Sequence, residues 1–332
     1  MRALVCEEHG PVSALHVADL PVPSPGPRQV VVRVEWAGLN YPDALIVEGR
    51  YQVKPPLPFV PGMELAGVVS AVGAEVREHR VGDPVLATTT TGAFAEECAV
   101  AVERVLARPA SLPPDLGAAS LITYGTTLHA LEDRARLQPG ETVLVLGAGG
   151  GVGTAAVELV KLLGGRVVAA ASTPEKRDLC RRLGADEVVD AAGDLRQQLR
   201  EIAGGRGLDV VYDPVGGPAS EVALRATGWN GRHLVIGFAS GEIPRIPLNL
   251  ALLNARSIVG VYWGDWSLRN REASAAQLLR LAGWIAAGKL RPAVSARLRL
   301  EEIPRGLDDL LHRRVQGKLV ATPRPGGSAG SP

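Results

Sequence analysis

LVLGAGGGVGTAA, Leu144–Ala156, sets the fold class of this 332-residue chain. A short apolar strand, Val143–Leu146, runs into Gly147, Gly149, Gly150, Gly151 and Gly153, and a helix begins near Val152. Glycine permits the sharp turn and a close approach of backbone to an anion, and a helix N-terminus offers amide N–H groups and partial positive charge. Strand, glycine turn and helix in that order form the pyrophosphate-binding corner of a dinucleotide fold. Read strictly, the motif is A-x-G-x-x-G from Ala148 to Gly153, so Ala148, Gly150, Gly151, Val152 and Gly153 are candidate contacts. No G-K-[ST] follows, which excludes a P-loop.

The flanking sequence agrees. RVVAAA, EVVD, DVVYD and HLVIGF are short apolar strands, separated by helical stretches such as TPEKRDLCRRLG and DLRQQLREIAG. That alternation predicts a doubly wound parallel sheet. Residues 1 to about 120 differ: β-branched runs at Val30–Val34, Leu65–Val72 and Ala95–Val102 are separated by LPVPSPGPRQ, KPPLPFVPG and VGDP. This pattern predicts an all-β unit with a few short helices. Beyond residue 260 come VYWGDW, a helix in LRNREASAAQLLRLAGWIAAG, the strand VSARLRL, a helix and the strand KLVAT, read as a return to the first unit. The expected organisation is a discontinuous domain over 1–120 and 261–322, an inserted domain over 121–260, and a mobile tail, PRPGGSAGSP, over 323–332.

Composition narrows the function classes. With 46% hydrophobic residues, 21% charged residues and a net charge of +1, the chain is an ordinary globular protein without an electrostatic footprint for nucleic acid or anionic membrane. No apolar run approaches the roughly 20 residues of a membrane span, and MRALVCEEHG lacks a signal-peptide core. Cytoplasmic localisation, with neither nucleic acid nor membrane as a partner, is the expectation. Cys6, Cys98 and Cys180 are scattered, so neither a disulfide framework nor a cysteine-built zinc site is expected.

Two local readings follow. An acid that binds the ribose hydroxyls is expected about 20 residues past the glycine turn, but the strand there ends Ala170, Ala171, Ser172, Thr173. Ser172 and Lys176, with Arg177 beside them, offer a hydroxyl and cations, which suit a 2′-phosphate. NADPH is therefore preferred to NADH. Glu64, in PGMELAGVV, stands in an apolar run with no basic neighbour. A buried lone charge costs several kcal/mol, so Glu64 needs a partner or a task.

NYPDALIVEGRY, LPFVPGMELAGVV, YGTTLHAL, GETVLVLGAGGGVG, STPEK, LGADEVVD, DVVYDPVGG, VGVYWGDW and GKLV occur in an order that resembles the medium-chain dehydrogenase/reductase superfamily. Within it, the chain resembles the zinc-independent quinone oxidoreductases, over about residues 1 to 321. The resemblance implies an α/β protein: a GroES-like β-barrel domain carrying an inserted Rossmann doubly wound parallel-sheet domain, with NADPH in the cleft between them, assembled as a homodimer. In zinc-dependent relatives a cysteine stands at the position of Asn40 and a histidine at that of Met63, and the cysteine-rich lobe is reduced here to Cys98. No metal is expected. Glu64 and Asp43 then look like survivors of an ancestral metal site, with structural roles through hydrogen bonds to backbone or to Asn40.

The implied chemistry is hydride transfer from NADPH to a conjugated carbonyl acceptor, a quinone first. Asn40 would orient the nicotinamide or the acceptor oxygen. Tyr51 aligns with a pocket tyrosine that is the proposed proton donor in related enoyl thioester reductases. Thr123 and Thr127 would border the nicotinamide, while Val215, Gly216 and Gly217, and Phe238, Ala239 and Ser240, follow strand ends where such sheets bind ligands. Lys318 matches a cofactor-side position. One departure is Ala191 in VVDA, where relatives place a tyrosine for the adenosine phosphate. The six histidines show no metal spacing and no triad context. Two other readings stand beside the quinone reductase: an enoyl-CoA or 2-alkenal reductase with Tyr51 as proton donor, and a low-turnover NADPH-binding sensor, structural or RNA-binding protein.

Overall fold

The apolar alternation of QVVVRVEWAGL produces the longest strand of the protein's first unit. In the computed structural model, which describes residues 1–324, a hairpin of β1 (Arg2–Val5) and β2 (His16–Asp19) precedes β3 (Gln29–Leu39). Val30, Val32 and Val34 on β3 are wholly buried. Antiparallel pairing then links β3 to β4 (Glu64–Val72), β4 to β5 (Pro84–Thr88), β5 to β7 (Val105–Ala107), and β3 also to β6 (Glu97–Ala101). Between β3 and β4 lies the short helix α1 (Tyr41–Val47), with Pro42 in its first turn where no intrahelical N–H is needed. The helix α2 (Pro114–Ala118) closes this half.

Through α3 (Leu121–Leu128) the chain enters a second unit, Thr123–Asn270. Its strands are β8 (Thr142–Val145), β9 (Arg166–Ala171), β10 (Glu187–Asp190), β11 (Leu208–Asp213), β12 (Thr227–Val235) and β13 (Ser257–Gly260). All pair in parallel, in the order β10-β9-β8-β11-β12-β13. The helices α4 (Gly151–Leu162), α5 (Pro174–Arg182), α6 (Leu195–Ala203) and α7 (Pro218–Ala226) make the crossovers, with the one-turn α8 (Asn249–Leu252) before β13. The order of successive strands switches sides between β8 and β11, and ligands of such sheets bind outside the C-terminal ends of the strands at that switch.

The second unit keeps residues 261–270, ten beyond the return point read from the sequence. The helix α9 (Trp263–Arg269) places Trp266 against His129 with ring centroids 4.2 Å apart. Arg134 donates to the carbonyl of Gly260 at 3.1 Å. The long helix expected over 268–288 is two helices, because Asn270 leaves helical geometry (φ −126, ψ 57) and its Nδ2 donates to the Trp266 carbonyl.

From α10 (Arg271–Ala286) the chain rebuilds the first unit. After β14 (Val294–Arg299) and α11 (Ile303–Leu311), the last strand β15 (Lys318–Thr322) inserts between β14 and β3. Leu319 lies opposite Leu39 and Ala321 opposite Ala37. Leu4, Val30, Leu65, Phe94, Leu307 and Leu319 share one core, so both ends of the chain are needed to complete it. The expected tail lies, from residue 325, outside the described residues.

Packing of α4 on its sheet depends on one glycine. A Cβ at Gly153 would stand 2.2 Å from the Gly147 carbonyl oxygen and 2.7 Å from the Ala148 Cα. Gly153→Ala must push the helix off the turn and is expected to lose about 1–3 kcal/mol in urea unfolding, the usual range for overpacking. Gly150→Ala, whose Cβ would make only a 3.4 Å contact, should change stability by less than about 0.5 kcal/mol.

Candidate functional site

Gly147 turns the chain at φ +60, a backbone conformation that side chains disfavour. Gly150 caps α4 in extended geometry, and its N–H donates to the Gly147 carbonyl at 3.0 Å. The first intrahelical bond runs from Thr154 N to Gly150 O (2.8 Å). The amides of Gly151, Val152 and Gly153 precede it, and such first-turn amides lack helical acceptors. Ala148 is buried, with its N–H on the Ala170 carbonyl at 3.0 Å, so the turn is fastened to β9.

At the end of β9, Ser172 is exposed and Thr173 caps α5, accepting from the Lys176 amide at 3.3 Å. The stem of Lys176 lies across the glycine turn: a Cβ at Gly149 would be 2.7 Å from Lys176 Cβ. Ser172, Lys176 and the turn therefore share one place. Arg177 points elsewhere, pairing with Asp190 at 2.9 Å and donating to the Ala171 carbonyl at 3.3 Å.

Val215–Gly217 and Phe238–Ser240 are also brought together. Ala239 N donates to Pro214 O (3.0 Å), Ser240 N to Val215 O (2.8 Å) and Gly217 N to Glu242 O (3.0 Å). Asp213, at the end of β11, organises this corner. Its Oδ1 accepts from the amides of Val215 and Gly216, both at 2.9 Å, and its Oδ2 accepts from Ser220 Oγ (2.5 Å) and lies 3.0 Å from His233 Nε2. Burial pushes the Asp213 carboxyl up, but hydrogen bonds from His233, Ser220 and Gly216 outweigh it and hold the group below the usual carboxylate range. Because the carboxylate stands between serine and histidine, the histidine cannot take a proton from the serine, and this is not a nucleophile–base arrangement.

Thr123 and Thr127 are buried. Thr127 Oγ1 donates to the Thr123 carbonyl at 2.7 Å and meets the Tyr212 hydroxyl at 2.9 Å. Tyr124, next to Thr123, donates to Glu158 on α4.

In the first unit, Glu64 finds its partner. It is 0% exposed, and the ammonium of Lys318, 254 residues away, donates to its Oε1 at 2.6 Å. Lys318 Nζ also donates to Asn40 Oδ1 (2.5 Å) and to the Leu39 carbonyl (2.8 Å). Asn40 Nδ2 donates to Glu64 Oε1 (2.8 Å), and the Ile122 amide donates to Oε2 (2.9 Å). Gly38 makes room for this carboxylate, since a Cβ there would lie 2.4 Å from Glu64 Oε1. Asp43 accepts from the Asn40 amide at 2.8 Å through Oδ2, while its buried Oδ1 has no hydrogen-bond partner among the described residues. One ammonium faces two buried carboxylates. Burial first, and the nearby Glu64 charge, raise the Asp43 carboxyl to about 7, against the opposing Asn40 amide and Lys318. Tyr51, in the loop after α1, is half-buried against the first unit's core.

This donor set does not fit zinc. The oxygens of Glu64 and Asn40 already take the Lys318 ammonium, whose charge repels a dication, and zinc needs about three nitrogen, sulfur or carboxylate donors from the protein. Among the described residues no three His, Cys, Asp or Glu side chains are grouped to hold a metal.

Sequence reasoning missed the Lys318–Glu64 bond and the Asp213 hub. The available signal for the hub was an acid closing an apolar strand in DVVYD. For the bond there was only the unexplained Glu64.

Lys318→Met should destabilise the protein by about 3–5 kcal/mol, since it leaves the Glu64 charge buried without a cation, and Glu64→Gln in the same chain should recover part of the loss. The two are read by urea unfolding at neutral pH. Asp43 sets a pH dependence. Its carboxyl ionises near 3.8 when unfolded and near about 7 when folded, so its contribution to stability is complete below the first value and is lost as pH rises to the second. Between about pH 5 and pH 7, Asp43→Asn should gain on the wild type by up to roughly 1.4 kcal/mol per pH unit.

Comparison with known proteins places these features in a family. Residues 26–112 match the family described as alcohol dehydrogenase GroES-like domain, and residues 151–281 match the one described as zinc-binding dehydrogenase. Quinone oxidoreductase-like protein 2 of Rattus norvegicus is 35% identical over 322 residues, covering 96% of this chain and 91% of that protein. A mycobacterial protein solved in complex with NADPH superposes with a TM-score of 0.90 at 30% identity, over 97% of this chain and 100% of that one. The Escherichia coli quinone oxidoreductase, also complexed with NADPH, gives a TM-score of 0.90 at 27% identity over 97% and 100%. With a GroES-like unit, a Rossmann sheet in the order β10-β9-β8-β11-β12-β13 and full-length relatives of this kind, the chain belongs to the quinone oxidoreductase-like family of the medium-chain dehydrogenase/reductase superfamily.

Proposed function

We propose that this chain is an NADPH-dependent reductase of conjugated carbonyl compounds, with a quinone as acceptor. The observation that carries the reading is Lys176 lying across the glycine turn beside Ser172, with no acid at the end of β9. A hydroxyl and an ammonium beside the pyrophosphate corner favour a 2′-phosphate, where a carboxylate would repel it.

The second unit serves as the cofactor domain and the first as the substrate domain. NADPH, when bound, supplies the hydride. The amides of Gly151, Val152 and Gly153, next to Ala148 and Gly150, hold the pyrophosphate at the positive end of α4. Ser172 and Lys176 take the 2′-phosphate. The backbone of Val215–Gly217 and Phe238–Ser240, fixed by Asp213, orients the nicotinamide, and Thr123 and Thr127 set the position of α3 beside it. Asn40 belongs to the acceptor side and is held on both side-chain polar atoms by Glu64 and Lys318, so Lys318 acts through it. Tyr51 carries a phenol that can donate a proton to the reduced product. A quinol oxygen can also take its proton from water.

The protein acts as a cytoplasmic homodimer in this reading. In support of the dimer, β13 is the last strand of the parallel sheet, and Ile258 on it and the neighbouring Leu252 and Leu253 are exposed. An apolar sheet edge of this kind calls for a partner. Among the described residues no helix is long and apolar enough to cross a membrane.

The test is NADPH oxidation with a small quinone and with a short enoyl-CoA, on wild type and Tyr51→Phe. Quinone turnover that survives Tyr51→Phe supports the proposal with water as proton source. Preference for enoyl-CoA, with a loss of about 10²-fold or more in Tyr51→Phe, moves the protein to the double-bond reductases. Tight NADPH binding with no turnover of either acceptor supports a sensor or structural role. Ser172→Ala with Lys176→Ala should weaken NADPH at least about tenfold more than NADH, and equal losses would refute the 2′-phosphate assignment.

A further inference from the structure

The adenosine end of the proposed cofactor site holds an acid of its own. Asp190 closes β10 and stands in register with Ala171, the last residue of β9, so its carboxylate lies one strand from Ser172. An uncovered carboxylate beside a 2′-phosphate would repel it. Here it is covered: Arg177 pairs with it at 2.9 Å, and the same guanidinium donates to the Ala171 carbonyl at 3.3 Å. The arginine side chain is 18% exposed and the carboxylate 42%, so the pair faces solvent at the sheet edge with the cation as the more enclosed partner.

The two residues are not anchored alike. Asp190 Oδ1 also accepts from the Ala192 amide at 2.9 Å, and the Asp190 amide donates to Gln198 at 2.8 Å. The carboxylate thus has an anchor, the Ala192 amide, that does not depend on Arg177. Arg177, by contrast, is held at this edge by Asp190 and one carbonyl.

We propose that Arg177 is a specificity-determining residue that neutralises Asp190 and so allows the neighbouring edge of β9 to accept a 2′-phosphate. The inference rests on the NADPH reading above and extends it: Ser172 and Lys176 supply attraction, and the Arg177–Asp190 pair removes a repulsion. Asp190 is a latent determinant for the unphosphorylated dinucleotide, held silent by the arginine. Ala191, which offers no side-chain contact, leaves the control of charge at this edge to the pair.

The experiment is a double-mutant cycle read by binding alone. Affinities for NADPH, NADH, 2′,5′-ADP and 5′-AMP are measured by calorimetry on wild type, Arg177→Ala, Asp190→Asn and the double variant, with melting curves confirming that each is folded. Arg177→Ala should weaken NADPH and 2′,5′-ADP about tenfold and leave NADH and 5′-AMP within about twofold, as expected for one uncovered, partly solvated charge. Asp190→Asn should tighten NADPH, and the double variant should return to within about threefold of the wild type. Arg177→Lys, which keeps the charge, should keep most of the preference. An Asp190→Asn variant that loses NADPH affinity as Arg177→Ala does would overturn the proposal, because the acid would then be aiming the arginine at the phosphate. Equal losses for NADPH and NADH in Arg177→Ala would also overturn it, by making the residue a packing element. A wild type that binds NADH as tightly as NADPH sinks the NADPH reading itself, an outcome distinct from both.

Discussion

The ammonium of Lys318, buried against Glu64, is the interaction on which the first unit's construction depends. It draws together β15, which carries the lysine, β4, which carries the glutamate, and the end of β3, which supplies the Leu39 carbonyl and leads into Asn40. The Ile122 amide at the start of α3 completes the glutamate's shell. Neither partner can be buried alone, since an uncompensated charge in such a place costs several kcal/mol. The amino-terminal strands of the unit therefore cannot reach their final state until the carboxy-terminal strand has returned between β14 and β3. The discontinuity of the unit is thus built into its electrostatics as well as into its sheet order. Asp43 shows the limit of the arrangement, because one cation cannot serve two carboxylates, and the second is driven toward its neutral form.

The second unit is held by another logic. Its strands and helices follow one another locally, and the demanding contacts are steric: Gly153 against the Gly147 carbonyl, and Gly149 under the stem of Lys176. A glycine at each point lets the backbone of one element enter the van der Waals shell of the next. The close approach that packs α4 on β8 is the same one that leaves its first amides at the C-terminal edge of the sheet. In the proposed reading, stability and pyrophosphate binding therefore rest on the same turn.

These two logics explain what could be read in the linear chain. The glycine turn, the alternation of strands and helices and the missing acid after Ala171 are local patterns, and each has its counterpart in the fold. The insertion of β15 beside β3 was visible as a late strand, KLVAT, without its register. Glu64 announced that something was needed, but its partner lies 254 residues away, and no periodicity reports a contact at that distance. Lys318, which the resemblance put on the cofactor side, donates three bonds that go to Leu39, Asn40 and Glu64, and none of these could be read from its own segment GKLV. Asp213 stood in plain view at a strand end. Its link to His233 needs the parallel register of β11 and β12, which a sequence does not state. The break between α9 and α10 turns on Asn270, a residue that lowers helix propensity only slightly and that here bonds back to Trp266.

A common use of carboxylates runs through the molecule. Glu64, Asp190 and Asp213 each stand in or at the end of a strand, and each accepts from several donors: an ammonium and two amide N–H donors for Glu64, a guanidinium and a backbone amide for Asp190, and a hydroxyl, an imidazole and two backbone amides for Asp213. The bonds that Asp213 accepts hold its carboxyl below the usual carboxylate range, so it is a poor proton donor. It acts as a hub that fixes loops and strand ends. Asp43, the carboxyl displaced toward neutrality, is 1% exposed and bound to the Asn40 amide, so it too is spent on the entry to α1. In the proposed reaction the proton comes from a group whose neutral form is its ordinary one, the phenol of Tyr51 or water, and the carboxylates are assigned to architecture.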